Sequence, residues 1–345
     1  MWGASAQAVV KAIARKPDAN ANDLNSALCE LPTSTGDCGE KEGASNSVVE
    51  IGPHLFLASQ FSGEAGTVFV VGIRRGNPFV LWSINNVAPQ PIDSQGVLDA
   101  WQAERASGKC REGGSEHPPG TCGPLYAAIG ALPPDASGRP RFYVDAGYAQ
   151  FMGATVGHQT SVWRWDGDSA TLLWVDLHGF MIDQRIGTEF ANGILTIGEK
   201  DDFRAFYGCG SCEARQMVRK LRVTPTGIDD LGKFTTTPEL DLIDELFWRL
   251  SNNSPTTDIA APQVARFLQP QIISAREESK KIDPKWFSVG MLGEISVKQR
   301  SDSEEVCFTA DEIGRLYFTI DKRQVRKPRL VKVTQSQGDF GDCPK

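Results

Sequence analysis

Residues 160–182, TSVWRWDGDSATLLWVDLHGFMI, carry the pattern that decides the fold. Residues 160–165 and 171–182 are rich in β-branched and aromatic side chains, which suit a pleated sheet. Asp166, Gly167 and Asp168 between them are turn formers. Two β-forming runs joined by such a turn predict an antiparallel hairpin.

The same pattern extends outward along the chain. Residues 67–73 and 79–84 form a second pair of β-rich runs, separated by the Gly/Asn/Pro turn at 74–78. Further strands are predicted at 125–132, 141–149, 193–198, 202–207 and 219–223. Short strands at this spacing predict an antiparallel meander, arranged either as propeller-like blades or as a sandwich.

The composition changes near residue 235, where helix signals replace strand signals. Thr237, Pro238 and Glu239 form a helix start, and Leu240, Ile243, Phe247 and Leu250 make its apolar stripe. A second helix is predicted over 262–281, kinked or divided at Pro270. Strands follow at 286–299, 305–308, 316–320 and 325–333.

This order of elements predicts an α+β chain with three parts. A helical and loop-rich lead-in occupies residues 1–47, and a β-rich antiparallel domain occupies 48–234. A small α+β domain, with helices packed on an antiparallel sheet, occupies 235–345. One helix is also expected within the β-rich part, at 93–107.

Composition and charge narrow the class of protein. With 40% hydrophobic and 23% charged residues, the chain is that of a folded globule. A net charge of -7 argues against a nucleic-acid partner, and no apolar run has the roughly 20 residues of a transmembrane helix. Ala4-Ser5-Ala6 has the small-residue character of a leader cleavage site, but Val9 and Ile13 equally predict an Ala-rich helix.

The eight cysteines indicate the compartment. They fall into four neighbouring couples, which predict four local disulfides and a secreted or periplasmic location. The couples are Cys29–Cys38, Cys110–Cys122, Cys209–Cys212 and Cys307–Cys343.

The couple Cys209-Gly210-Ser211-Cys212 is the sharpest local motif. It resembles the thioredoxin active-site pattern over about 20 residues, with a predicted strand at 203–207 and a predicted helix at 213–221. No tryptophan precedes Cys209, however, and the pair lies between β-rich segments. A structural bridge at a hairpin tip is the alternative.

Aromatic residues in the meander form a second candidate site. Trp163 and Trp165 share one strand face, with Tyr143 and Tyr148 nearby, and together they could stack on a glycan or a peptide. Ordinary sheet packing explains the same pattern.

Other polar patterns give weaker hypotheses. Asp176 and His178 share a strand face, which would allow the carboxylate to orient the imidazole. Asp166 and Asp168 could begin a calcium loop, although the remaining oxygen ligands are absent. A basic run near the C-terminus could meet an anionic partner or form a solvated hairpin face. It comprises Lys322, Arg323, Arg326, Lys327, Arg329 and Lys332.

Signatures of catalysis are missing from the sequence. It has no metal-ligand spacing, nucleophile elbow, P-loop or dinucleotide fingerprint, so no metal and no cofactor is expected. We therefore hypothesise an exported, soluble, non-catalytic binding protein with a cell-envelope protein or glycan as partner. The alternative is a thiol–disulfide oxidoreductase that uses Cys209 and Cys212. A hydrolase with dispersed carboxylates is a third hypothesis.

Overall fold

The fold was analysed in a computed structural model of the full chain. It describes residues 4–30, 47–62, 65–74, 77–83, 126–151, 154–182, 188–201, 203–206, 215–282, 292–310, 313–323 and 327–335. The helices are α1 (Ala4–Arg15), α2 (Ala21–Cys29), α3 (Pro238–Ser251) and α4 (Pro262–Ile282).

Sixteen strands are arranged in four sheets of four within the described ranges. The first sheet contains β1 (Ser47–Gly52), β2 (Leu55–Ser62), β3 (Ala65–Arg74) and β4 (Asn77–Ser83), and the second contains β5 (Tyr126–Leu132), β6 (Arg141–Phe151), β7 (Ala154–Trp165) and β8 (Ala170–Ile182). The third contains β9 (Thr188–Ala191), β10 (Ile194–Asp201), β11 (Arg215–Thr224) and β12 (Gly227–Thr235). The fourth contains β13 (Leu292–Gln299), β14 (Ser303–Ala310), β15 (Gly314–Asp321) and β16 (Arg329–Gln335).

Each sheet follows the chain order of its strands, as a meander does. The hairpins predicted from residues 67–84 and 160–182 are the pairs β3–β4 and β7–β8, both antiparallel. The predicted fold class, antiparallel meanders followed by helices on an antiparallel sheet, is thus confirmed.

The chain divides into two compact units. The first comprises residues 1–198 and 219–232, and the second comprises residues 199–218 and 233–345. The predicted division into residues 1–47, 48–234 and 235–345 stays a prediction.

Strand alternation builds the layers of the first unit. In β6, Phe142, Val144 and Ala146 pack against the first sheet, while Tyr143 between them packs against the third. Successive strand residues point to opposite faces, so one strand serves two cores. The second sheet therefore lies between the first and the third.

Helices α1 and α2 cover the other face of the first sheet. Val9, Ile13, Leu24 and Leu28 are buried in a cluster that includes Phe69 of β3. Helix α1 is the Ala-rich helix that was one of the two predictions for this segment. Asn20 begins α2 with a capping box, in which its side chain accepts the Asp23 N–H and the Asp23 carboxylate accepts the Asn20 N–H.

The second unit packs α3 and α4 on the fourth sheet. The predicted stripe of α3 is buried, with Phe247 against Phe308 of β14 and Phe318 of β15. Ring centroids lie 5.9 Å and 6.3 Å apart in these two contacts, within the range of favourable aromatic pairs. Pro238 stands at the first helical position, as predicted, but the Thr237 side chain makes no capping bond.

Local predictions differ from the structure at three places. Residues 203–206 form bends rather than the predicted strand. Strand β11 contains the strand predicted at 219–223, so the helix that the thioredoxin-like alternative placed over 213–221 is wrong. Helix α4 continues through Pro270, which excludes the division that was one of the two alternatives there. Phe203 and Phe206 both enter the core of the second unit, which alternation along a strand would not allow. The predicted helix at 93–107 lies outside the described residues.

Candidate functional site

The motif Cys209-Gly210-Ser211-Cys212 lies outside the described residues, but segments 203–206 and 215–224 on either side of it are described. A thioredoxin-like thiol is activated by the N-terminus of the helix that follows it. Here the described chain after Cys212 resumes at Arg215 as strand β11, and the chain before Cys209 ends in bends at Phe206. The strand and helix predicted on either side of the motif are both absent from these described flanks.

Two of the predicted disulfide cysteines are described. Cys29 ends helix α2 and Cys307 lies buried in β14, and neither carries a free thiol. Their predicted partners, Cys38 and Cys343, lie outside the described residues, as do Cys110, Cys122, Cys209 and Cys212. The pairing therefore stays a prediction.

The aromatic candidates lie mainly in cores. Trp163 and Trp165 are 3% and 4% exposed, and Trp82 packs on Trp163 with ring centroids 5.2 Å apart. The indole N–H of Trp163 donates to Ser161 Oγ at 2.8 Å. Tyr143 is buried on the opposite face of the second sheet. These contacts correspond to the sheet-packing alternative, because a stacked ligand would have to displace them. The side chain of Tyr148 is outside the described set.

Asp176 is bound by Arg219 of strand β11. Arg219 Nε lies 2.6 Å from Asp176 Oδ2, and Arg219 Nη1 lies 2.6 Å from Asp230 Oδ2. The guanidinium also sits over the ring of Trp174, 5.8 Å from its centroid. Burial opposes ionisation of Asp230, but the Gly232 N–H and Arg219 outweigh it and lower the pKa of Asp230. The His178 side chain is not among those described.

The turn at Asp166 is held by two arginines and a threonine. Asp166 accepts from Arg164 Nε at 2.8 Å, from Arg139 Nη1 at 3.2 Å and from the Thr171 hydroxyl. These bonds, that of Arg164 foremost, lower the pKa of Asp166. Within the described part of the chain, no three His, Cys, Asp or Glu side chains could together hold a metal ion.

Buried charge in the first unit ties its sheets together. Arg141 is 1% exposed and donates to four backbone carbonyls. Nε bonds Pro133 O at 2.7 Å, Nη1 bonds Thr224 O at 2.7 Å and Gly227 O at 3.3 Å, and Nη2 bonds Pro134 O at 3.2 Å. Pro133 and Pro134 lie in the β5–β6 connection, and Thr224 and Gly227 are the strand ends on either side of the β11–β12 turn, so Arg141 links the second and third sheets.

Asp145 joins the same two sheets by its carboxylate. Its two oxygens accept from Thr160 Oγ1 at 3.0 Å and Thr188 Oγ1 at 2.6 Å. In the second unit, Asp244 is 2% exposed and accepts the backbone N–H groups of Arg204 and Ala205 at 3.1 Å and 2.7 Å. Both carboxylates are engaged in holding backbone and side chains in place.

Several residues of the basic run make separate contacts within the fold. The Lys322 ammonium pairs with Glu304, and Arg329 Nη2 donates to Thr257 O at 2.9 Å and Ala260 O at 3.0 Å. Arg323 binds Asp321 through a fork of hydrogen bonds that lowers the pKa of Asp321 to about 2. Lys327 and Lys332 are exposed, and Arg326 is outside the described residues. This is the solvated hairpin face that the sequence offered as one alternative.

One carboxyl of the second unit has a raised pKa. Glu239, in the first turn of α3, is partly buried, and that burial, with the nearby charge of Glu304, raises its pKa. Glu304 itself is buried and bound by Lys322. A carboxyl group with a shifted pKa can mark a catalytic acid. Here, however, the neighbouring carboxylate of Glu304 is already paired with Lys322.

The outer face of α4 is the remaining candidate. Its inner face is complete, with Val264, Leu268, Ile272 and Ala275 buried in the core. On the solvent side, Phe267 and Ile273 are 39% and 41% exposed, and Pro270 between them is exposed as well. Residues three apart on a helix are neighbours, so these three form a continuous apolar patch.

Charges stand at both ends of this patch. Arg266, Pro270, Ile273 and Glu277 follow one another at spacings of four, three and four residues, the spacing of a coiled-coil seam. We call these four residues, with Phe267 beside them, the outer seam of α4. Arg266 Nε lies 3.4 Å from Pro262 O, and Glu277 pairs with Lys280 at 2.7 Å, which lowers the pKa of Glu277.

This surface was not predicted from the sequence. The helix predicted over 262–281 was expected to be kinked or divided at Pro270, and a division would have separated Phe267 from Ile273. The signal was available, because both residues fall outside the buried stripe of 264, 268, 272 and 275.

Comparison with known proteins adds little to the geometry. No protein family matches the chain, and neither does any curated protein. Among solved structures, it is similar to a glycoside hydrolase family 43 arabinoxylan arabinofuranohydrolase from Bacillus subtilis in complex with cellotetraose. The identity is 8% and the TM-score 0.20, over 88% of this chain and 67% of that chain. A TM-score this low establishes no shared fold.

Proposed function

We propose that this chain is an exported, non-catalytic interaction protein that docks a protein partner through the outer seam of α4. The observation that carries the proposal is the apolar patch of Phe267, Pro270 and Ile273, exposed on a helix whose inner face is already packed. An apolar patch rimmed by charge is typical of a protein-binding surface.

The chemistry of the described residues supports binding over catalysis. The buried ionic groups Arg141, Asp145 and Asp244 each bond to backbone or hydroxyl groups of neighbouring segments. None of the helices in the described ranges has the length and hydropathy that spanning a membrane requires. A protein is favoured over a glycan as the partner because Trp163 and Trp165 have their ring faces covered.

Export to a secreted or periplasmic location is part of the same proposal. Cys29 and Cys307 carry no free thiol, which agrees with bridges to Cys38 and Cys343 in an oxidising compartment. The test is alkylation of the purified chain under denaturing, non-reducing conditions, followed by intact mass measurement. We expect no thiol to react, and alkylation of most of the eight cysteines would contradict export.

The docking surface is tested by photo-cross-linking in the cells that produce the protein. A benzoyl-phenylalanine replaces Ile273 in one variant and Val297 in the control, since Val297 is comparably exposed at 37%. We expect light-dependent adducts to a defined partner peptide from position 273 and few from position 297. No adduct at 273, or the same adducts at both positions, would refute docking on the outer seam.

The oxidoreductase hypothesis makes a different prediction for Cys209–Cys212. Since β11 follows the motif where a thiol-activating helix was predicted, we expect a structural bridge. Its reduction potential should then lie below roughly -300 mV in a glutathione titration. A value above about -220 mV, with Cys209 the more reactive thiol, would favour oxidoreductase chemistry instead.

A further inference from the structure

We infer that the partner on the outer seam of α4 is a second copy of this chain, with the two helices packed antiparallel. The inference rests on the proposed function, because it names the occupant of the same surface. The order of residues along the seam is what selects this occupant.

The seam is self-complementary under a two-fold axis. With the axis midway between Pro270 and Ile273, Pro270 faces the partner's Ile273, and Ile273 faces the partner's Pro270. The same operation places Arg266 opposite the partner's Glu277, and Glu277 opposite the partner's Arg266. A two-fold interface uses one patch on both copies, so each contact occurs twice.

Charge determines the direction of the helices. Antiparallel packing creates two Arg–Glu pairs at the ends of the apolar contact. Parallel packing would set Arg266 against the same arginine and Glu277 against the same glutamate, and such like-charge contacts disfavour it. The present pair between Glu277 and Lys280 is no obstacle, because these side chains are 59% and 40% exposed and a pair of that kind is worth little.

The apolar contact is small, which sets the strength of the dimer. Phe267 lies beside the seam, where it covers the edge of the contact between Pro270 and the partner's Ile273. The patch belongs to a single helix, whereas stable interfaces bury roughly 1,200 Å² or more. We therefore expect a weak dimer that forms at high protein concentration and weakens as salt screens its two ion pairs.

Sedimentation equilibrium of the full chain over a wide concentration range tests the inference. Arg266→Glu and Glu277→Arg should each abolish the dimer, since each sets like charges opposite one another at both ends. The double variant R266E/E277R should restore association to within a few fold of the natural sequence, because the pairs are then re-formed in reverse. Val297→Ser is the matched control and should leave the association unchanged.

Each outcome of these experiments bears on one hypothesis. A monomer at every concentration, or a double variant no better than the single ones, overturns self-association. If position 273 nevertheless cross-links to a different protein, docking on the outer seam stands and only the identity of the partner is wrong. Far-UV circular dichroism of each single variant shows whether it is folded, so that loss of the dimer can be told apart from unfolding.

Discussion

Replacing Arg141 should destabilise the first unit more than any nearby surface substitution. The side chain is 1% exposed, and its two shortest hydrogen bonds, to Pro133 O and Thr224 O, are both 2.7 Å long. A hydrogen bond from a charged donor contributes about 1.5–3 kcal/mol. Arg141→Met removes both bonds and leaves their carbonyls without this donor, so we expect a loss of about 3–5 kcal/mol. Burial also lowers the pKa of Arg141, yet an arginine remains charged at neutral pH.

Unfolding in urea, followed by tryptophan fluorescence, measures this loss. In thermal unfolding, a unit of this size should melt roughly 6–20 °C lower, at about 2–4 °C per kcal/mol. The control is Arg139→Met, because the Arg139 side chain is 42% exposed and its ion pairs should be worth at most about 1 kcal/mol. Arg141→Lys retains the charge but not the planar fork of donors, and it should recover only part of the loss. An Arg141→Met variant within about 1 kcal/mol of the natural protein would refute the view that this side chain links the two sheets.

Three other substitutions test the packing and the charges. A Cβ at Gly130 would lie 2.3 Å from the ring of Tyr143, so Gly130→Ala should lower the free energy of unfolding in urea by about 1–3 kcal/mol. Gly227→Ala is the control and should be neutral, because its Cβ would meet open space. Glu239 has a pKa raised above 4.5, so the folded state binds its proton more tightly than the unfolded state and stability falls as pH rises through 4.5 and above. Glu239→Gln should therefore gain stability relative to the natural protein as pH rises from about 4 to about 7. A difference between the urea midpoints of the two proteins that does not change with pH would contradict this. Asp244→Ala should lower the stability of the second unit by about 2–4 kcal/mol, because two backbone N–H groups lose a buried carboxylate acceptor, and a loss below about 1 kcal/mol would argue against that role.

The strands and their pairing could be predicted because local chemistry determines them. Turn residues at 166–168 and 74–78 separate β-rich runs, and each such pair of runs forms a hairpin. Likewise, Pro238 and the stripe from Leu240 to Leu250 determined helix α3. These signals act over a few residues and need no knowledge of the tertiary packing.

A helix over 213–221 and a strand at 219–223 were both predicted, because two periodicities coincide there. Met217 and Leu221 are four apart, a separation that places them on one face of a helix and also on one face of a strand. In the structure both are buried from β11, and Arg219 between them reaches Asp176 and Asp230. Only the neighbouring strands decide between the two readings, and their pairing is a long-range property.

The stacking of the sheets was equally out of reach. Arg141 stands at the start of a predicted strand, where an exposed charge is the ordinary expectation. Its burial follows from two connections, 133–134 and 224–227, that are far apart in the sequence and meet at this side chain. Trp163 and Trp165 were plausible stacking residues for the same reason, since alternation shows which face they occupy but not what covers it.

The outer seam of α4, by contrast, could have been predicted from the sequence alone. The stripe of 264, 268, 272 and 275 is enough to bury one face of the helix, and it fixes the direction of the core. Phe267 and Ile273 then lie off that stripe, so they must face solvent or another molecule. Arg266 and Glu277 bracket them with opposite charges at equal distances from the midpoint of the seam. Two copies of such a helix are complementary when they run antiparallel, because each charge then faces its opposite. Few unrelated partners would carry a matching arrangement.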